Sequence, residues 1–198
     1  MHAVRTTRTR THWKTCALGA AAVAALLAGP VGEASGADAG TTAAGQGKSS
    51  PRRALPCTDQ DVSVSARAEA RDSLRHLVLT AVNTGGRTCT LYAYPLVRFD
   101  QGSYDEVGPL ESNYKAVATL APGQKAYAGM RLFRAGEETR AVETLTLGFQ
   151  GAGSAGEVGS PIDVPLPGGV PFVNVDAGVG VTYWDRNLKS VYAYTFAT

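Results

Sequence analysis

Apolar and polar side chains alternate over Asp61-Val62-Ser63-Val64-Ser65-Ala66-Arg67, the period of two expected of a strand with one buried face. Ser73–Asn83 is apolar on both parities, with Leu77 and Leu79 on one and Val78 and Val82 on the other. Its β-branched content and the Asn83-Thr84-Gly85-Gly86 turn after it predict a central strand. Together the two segments predict an antiparallel hairpin turning at Glu69–Asp72. Further strands are expected at Leu96–Phe99, Lys115–Leu120, Gln124–Phe133, Thr144–Phe149, Ile162–Leu166, Pro171–Val175, Val181–Trp184 and Val191–Phe196. Turns at Ala121-Pro122-Gly123, Gly151–Gly159 and Pro167-Gly168-Gly169 separate several of them. One helical turn is expected over Asp185–Val191, with Asp185 as its cap. Many short strands divided by Gly/Pro turns predict an all-β fold, an immunoglobulin-like antiparallel β-sandwich.

The N-terminal region follows a different pattern. Arg5, Arg8, Arg10 and Lys14 precede an apolar run from Cys16 to Ala28, shorter than the roughly 20 residues a membrane-spanning helix needs. Small residues follow, and Ala37-Asp38-Ala39 reads as an A-x-A cleavage site. Residues 1–39 are thus expected to be a secretory signal peptide. Cys16 follows the polar Trp13-Lys14-Thr15 and precedes the apolar run, which is not a lipobox; Arg8 and Arg10 are not a twin-arginine pair. Residues 40–54 are rich in Gly, Ala, Ser and Thr and read as a flexible linker, leaving 55–198 as one domain.

Export changes the reading of charge and cysteine. The whole chain carries 19 basic and 17 acidic residues, but its basic excess lies in the first 39 residues, so the exported form is neutral. Nucleic-acid binding wants a basic surface, and nucleic acid is excluded as the expected partner. Once Cys16 is removed, Cys57 and Cys89 remain, an even pair that in an oxidising compartment reads as a disulfide. Cys57 precedes the first strand of the hairpin and Cys89 follows the second, so the hairpin brings both to one end. Closing that loop stabilises by about 3–4 kcal/mol in the chain-entropy account.

Candidate chemistry is sparse. His76 is the one histidine of the exported form and lies in a predicted central strand, where packing is its expected role; no G-x-S-x-G elbow is present. One histidine and two paired cysteines do not make a zinc site. Asp59 with Asp61, and Asp100 with Asp105 and Glu106, offer oxygen ligands without an EF-hand pattern and are expected to be solvated. No cofactor, metal or catalytic residue is assigned. The candidate binding surface is aromatic: Tyr183, Trp184, Tyr192, Tyr194 and Phe196, the last three expected on one strand face. Its competing role is ordinary core.

A resemblance adds to this. Cys57-Thr58, then Leu77-Val78-Leu79-Thr80-Ala81-Val82-Asn83-Thr84-Gly85, then Thr88-Cys89-Thr90-Leu91-Tyr92-Ala93-Tyr94-Pro95 resembles a secreted actinobacterial family, catalogued as domain of unknown function 4232. Leu120-Ala121-Pro122-Gly123-Gln124-Lys125-Ala126 resembles its later hairpin. The pattern has Gly where this chain has Ala93, and many members carry a second cysteine pair that is missing here. The resemblance implies a β-sandwich in a secreted or cell-envelope setting and implies no reaction. The function expected is a non-catalytic binding module for an extracellular protein or glycan, free of the membrane once the signal is removed. The rival readings are a secreted hydrolase using a carboxylate pair and a purely structural envelope protein; no oligomeric state is predicted.

Overall fold

The computed structural model describes residues 54–69, 73–102, 107–112, 117–153 and 155–196. They belong to the compact unit Lys48–Thr198; the predicted signal peptide and all of the predicted linker but Ala54 lie outside them. Among the described residues the eleven strands are β1 (Val62–Ala68), β2 (His76–Asn83), β3 (Cys89–Phe99), β4 (Gly108–Pro109), β5 (Ala118–Leu120), β6 (Lys125–Arg131), β7 (Arg140–Val142), β8 (Leu145–Gln150), β9 (Glu157–Asp163), β10 (Val173–Val175) and β11 (Gly180–Val181), followed by one α-helix, α1 (Leu188–Thr195). They form a five-stranded sheet in the order β1-β2-β6-β11-β4, a four-stranded sheet β5-β3-β8-β9 and a two-stranded ribbon of β10 and β7. Every pairing is antiparallel except β11 with β4.

The hairpin expected from the alternating segment forms without a register break, Val62 opposite Asn83 and Ala68 opposite Leu77. β2 lies between β1 and β6, which accounts for its apolar residues on both parities. Leu77, Leu79 and Ala81 join Ala126, Ala128 and Met130 of β6 in one apolar core with Leu91, Val97 and Phe99 of β3 and Leu145, Leu147 and Phe149 of β8. Two sheets each burying one face against the other satisfy their apolar sides together. The Cys57–Cys89 disulfide forms, with both residues fully buried. Beside it the chain before β1 is tied to β3 through Cys57 N–H to Thr90 O at 2.9 Å and Thr90 N–H to Leu55 O at 2.8 Å.

The expected strand at Val191–Phe196 is a helix instead. α1 runs over Leu188–Thr195, and its cap is Asn187, whose side chain accepts from the N–H groups of Lys189 and Ser190. Asp185 is not the cap; its carboxylate accepts from Asn187 N–H at 2.8 Å. The segment Val-Tyr-Ala-Tyr-Thr-Phe has an apolar or aromatic side chain at nearly every position, so no period stands out. A spacing of four, Val191 with Thr195, makes the buried face. That face covers the outer side of the first sheet. Val78 and Gly129 are cross-strand neighbours there, and a β-carbon on Gly129 would land on the Thr195 side chain. Glycine in mid-strand is therefore the notch that admits the helix.

Three other segments shift from expectation. The strand expected at Ile162–Leu166 is β9, displaced toward the N-terminus, because the Gly-rich turn closes early through Gly151 N–H to Gly156 O. Gly159, at φ +74°, then serves as an irregularity within β9. β3 begins at Cys89 rather than Leu96 and carries a bulge between Tyr92 and Leu96. At that bulge Ala93 has φ +52°, a conformation that glycine adopts more easily. β11 ends at Val181 rather than Trp184: Thr182 N–H still donates to Gly129 O of β6, whereas Trp184 N–H turns to Ala93 O of β3.

Two substitutions test this packing. Gly129→Ala is expected to lift α1 and destabilise the domain by about 1–3 kcal/mol, with partial recovery in Gly129→Ala/Thr195→Gly, both read from denaturant midpoints. Ala93→Gly is expected to stabilise by about 0.5–1 kcal/mol, because relief of the left-handed strain exceeds the added unfolded-state entropy; an unchanged or lower midpoint would contradict it.

Candidate functional site

The five aromatic residues singled out in the sequence go to three places. Trp184 is 1% exposed and belongs to the core, its backbone N–H donating at 3.0 Å to the carbonyl of Ala93 at the β3 bulge. Tyr192 of α1 and Phe196, the residue capping its C-terminus, meet at 5.4 Å between ring centres, and Phe196 packs at 4.6 Å against His76 with the rings tilted. The Tyr192 hydroxyl donates to Glu69 at 2.6 Å and accepts from Arg67, which itself pairs with Glu69. Burial and the Glu69 carboxylate hold the Tyr192 hydroxyl above the usual tyrosine range. This cluster clips α1 to the end of the β1–β2 hairpin.

Tyr183 and Tyr194 remain, and they line one open groove of about 560 Å³ with Pro109, Leu110, Glu111 and Ser112. Its walls come from three elements. The crossing segment after β11 supplies Tyr183, which is half-buried and stands edge-on to Tyr94 at 5.3 Å. α1 supplies Tyr194, 42% exposed. The chain after β4 supplies the third wall, held in place by Leu110 N–H to Val181 O at 2.7 Å and by Tyr183 N–H to the Ser112 hydroxyl at 3.0 Å. Gly180 permits this approach, since a β-carbon there would press into the Leu110 side chain. Thr182 locks the base by accepting Gly129 N–H at 2.9 Å while its own N–H donates to Gly129 O. The groove therefore offers two aromatic rings and a proline as apolar walls, with a hydroxyl and a carboxylate at the rim. Pro109, Leu110 and Ser112 carry no sequence signal of their own; only the parallel β4–β11 pairing places them opposite the tyrosines.

A second depression, about 790 Å³, is lined in part by Asp100, Glu138, Arg140 and Asp176. Asp100, at φ +49°, accepts from Glu143 N–H, Thr144 N–H and the Thr144 hydroxyl. Asp176 accepts from Arg134 N–H, Arg134 Nε and Gly178 N–H. Burial opposes the charge on both, yet these donors prevail and hold each carboxyl below its ordinary range. Asp61 is held low in the same way, first by Arg87 and then by Thr58. Asp59 accepts Ser160 N–H at 2.9 Å. Of the acids the sequence marks as possible oxygen ligands, Asp59, Asp61 and Asp100 are not simply solvated but anchor loops; Asp105 and Glu106 lie outside the described residues. Among the described residues no three His, Cys, Asp or Glu side chains gather as a metal site.

The depressed carboxyls set a sign for acid stability. Their folded-state values lie below the unfolded value of about 4, so their stabilisation is complete at neutral pH and is lost as pH falls below about 4. Denaturant midpoints are expected to hold from pH 7 to about 5 and drop below about 4. Asp176→Asn is expected to lower the neutral midpoint and flatten part of the acid limb.

No curated protein and no solved structure matches the chain. Residues 57–185, well over half of its length, match a family model described as Domain of unknown function (DUF4232). The match opens at the first cysteine of the disulfide and closes at Asp185, two residues before the cap of α1, and the chain belongs to that family.

Proposed function

We propose that the protein is an exported, non-catalytic binding module of the actinobacterial envelope, an immunoglobulin-like sandwich that takes a glycan chain in the Tyr183–Tyr194 groove. The strand orders support the immunoglobulin-like reading. β1-β2-β6 follows the sequence of strands A, B and E, and β3-β8-β9 that of C, F and G, with β5 beside β3 where an added C′ strand sits. β11 and β4 occupy the position next to E. The basic start, the short apolar run and the A-x-A site support export, and the Cys57–Cys89 disulfide suits an oxidising compartment. No described helix is long and apolar enough to cross a membrane.

The observation that carries the binding role is the pair of tyrosines lining one open groove. Aromatic faces supply stiff contact area to the apolar face of a sugar ring, while Ser112, Glu111 and the two phenols can exchange hydrogen bonds with its hydroxyls. A groove walled by three separate elements, two of which supply its tyrosines, is also a rigid one, which limits the ordering cost of binding. The non-catalytic reading draws on Asp100 and Asp176: each is saturated with donors and held ionised, so neither suits a general acid.

Titration calorimetry with soluble peptidoglycan fragments and N-acetyl-chitooligosaccharides tests this reading. Saturable binding without turnover is expected. Tyr183→Ala and Tyr194→Ala should each weaken it about five- to tenfold, by roughly 1 kcal/mol. Phe172→Ala, an exposed aromatic outside the groove, should leave it unchanged. Cleavage of the oligosaccharide, or binding indifferent to both tyrosines, overturns the proposal.

A further inference from the structure

Sheet edges expose unpaired backbone groups, and proteins blunt them with short strands, proline, bulges or side-chain caps. Three of the four edges in the two sheets are blunted. β4 has two residues and β5 three. β9 contains Pro161 and the irregularity at Gly159, and the Asp59 carboxylate caps the N–H of Ser160. β1 is different. It has seven residues, no proline and an unbroken register with β2.

The direction of its free groups follows from its partner. Asn83 N–H donates to Gln124 O and its carbonyl accepts Gly123 N–H, so Asn83 faces away from β1. Backbone groups alternate along an antiparallel pair. Ser63, Ser65 and Arg67 therefore bond to β2, while Val64, Ala66 and Ala68 aim theirs outward. Among the described residues, none of those outward groups takes a backbone hydrogen bond; the turn at Pro167–Gly169 lies beside β1 without bonding to it. Val64, Ala66 and Ala68 are only partly buried against the core.

We propose that β1 pairs antiparallel with β1 of a second copy of this chain, about a two-fold axis at Ser65, joining two five-stranded sheets into one. The segment is self-complementary about that point. Val62 meets Ala68 and Val64 meets Ala66 on the apolar face, while Ser63 meets Arg67 and Ser65 meets its own symmetry mate on the other. Outward groups on Val64 and Ala66 then exchange both bonds in each pair; Val62 N–H is already given to Thr58 O, so only its carbonyl accepts, from Ala68 N–H of the mate, and the edge gains about six backbone hydrogen bonds. This register overlaps all seven residues. Moving the axis to Arg67 would set two guanidinium groups opposite each other, which is repulsive, and would leave most of the strand unpaired. Arg67 is already held toward α1 by Tyr192 and Glu69, clear of the partner's backbone. Such an isologous contact uses one patch twice and closes after two copies.

The test uses the purified chain with its disulfide intact, in a Cys16→Ser background. Sedimentation equilibrium across about 1–500 µM is expected to show a monomer–dimer equilibrium with a micromolar dissociation constant. Ser65→Lys points a charge into solvent in the monomer and opposes its mate in the dimer. It should weaken association at least about tenfold with the same melting profile. Ser65→Cys places two thiols at a closely spaced, non-hydrogen-bonded pair; mild oxidation should give a covalent dimer whose peptide map joins residue 65 to residue 65. A monomer at every concentration, or a dimer that Ser65→Lys leaves intact and that yields no such cross-link, overturns the proposal.

Discussion

Strands β2 and β6 must be covered on both sides, and most of the architecture answers to that requirement. Their inner faces meet the second sheet through Leu77, Leu79, Ala128 and Met130. Their outer faces carry Val78 and the Gly129 notch, and α1 fills that side with Val191 and Thr195. A helix can come so close to a sheet only where a side chain is missing, because backbone and β-carbons otherwise hold the layers apart. Gly129 thus determines where α1 sits.

The position of α1 determines the rest of the outer surface. It brings Tyr194 into the groove that Tyr183 also lines. It sends Tyr192 to the Arg67–Glu69 pair at the end of the hairpin and lays Phe196 on His76. It covers β2 and β6 but not the edge of β1, where Val64, Ala66 and Ala68 take no backbone hydrogen bond on their outward side among the described residues. The aromatic groove and the open strand edge are therefore two consequences of one packing contact.

Both ends of the sandwich are organised by buried or half-buried carboxylates instead, Asp61 beside the Asn83 end of β2 and Asp100 with Asp176 at the opposite end. Asp61, Asp100 and Asp176 each gather two or more donors from loops that no strand pairing holds. Charge-assisted hydrogen bonds of this kind are stronger than neutral ones, and they explain why loops rich in Asp and Glu are ordered without a metal ligand set. The domain thus commits these acids to geometry.

Strand-level structure was legible wherever one local signal decided it. Alternation marked β1, apolar residues on both parities marked β2 as central, and the flanking cysteines marked the disulfide, because each follows from a residue and its near neighbours. The aromatic candidates were legible as a set but not as a surface: Trp184 went to the core, Tyr192 and Phe196 to the helix clip, and only Tyr183 and Tyr194 to the groove. The segment 191–196 has no dominant period, so its conformation depended on the shape of the sheet beneath it, and the Gly129 notch selected a helix. Pro109, Leu110 and Ser112 joined the site through a parallel β4–β11 pairing between distant parts of the chain. Local side-chain pattern chose the strands and the redox partners; long-range packing against a sheet with one missing side chain decided the helix, the groove and the exposed edge.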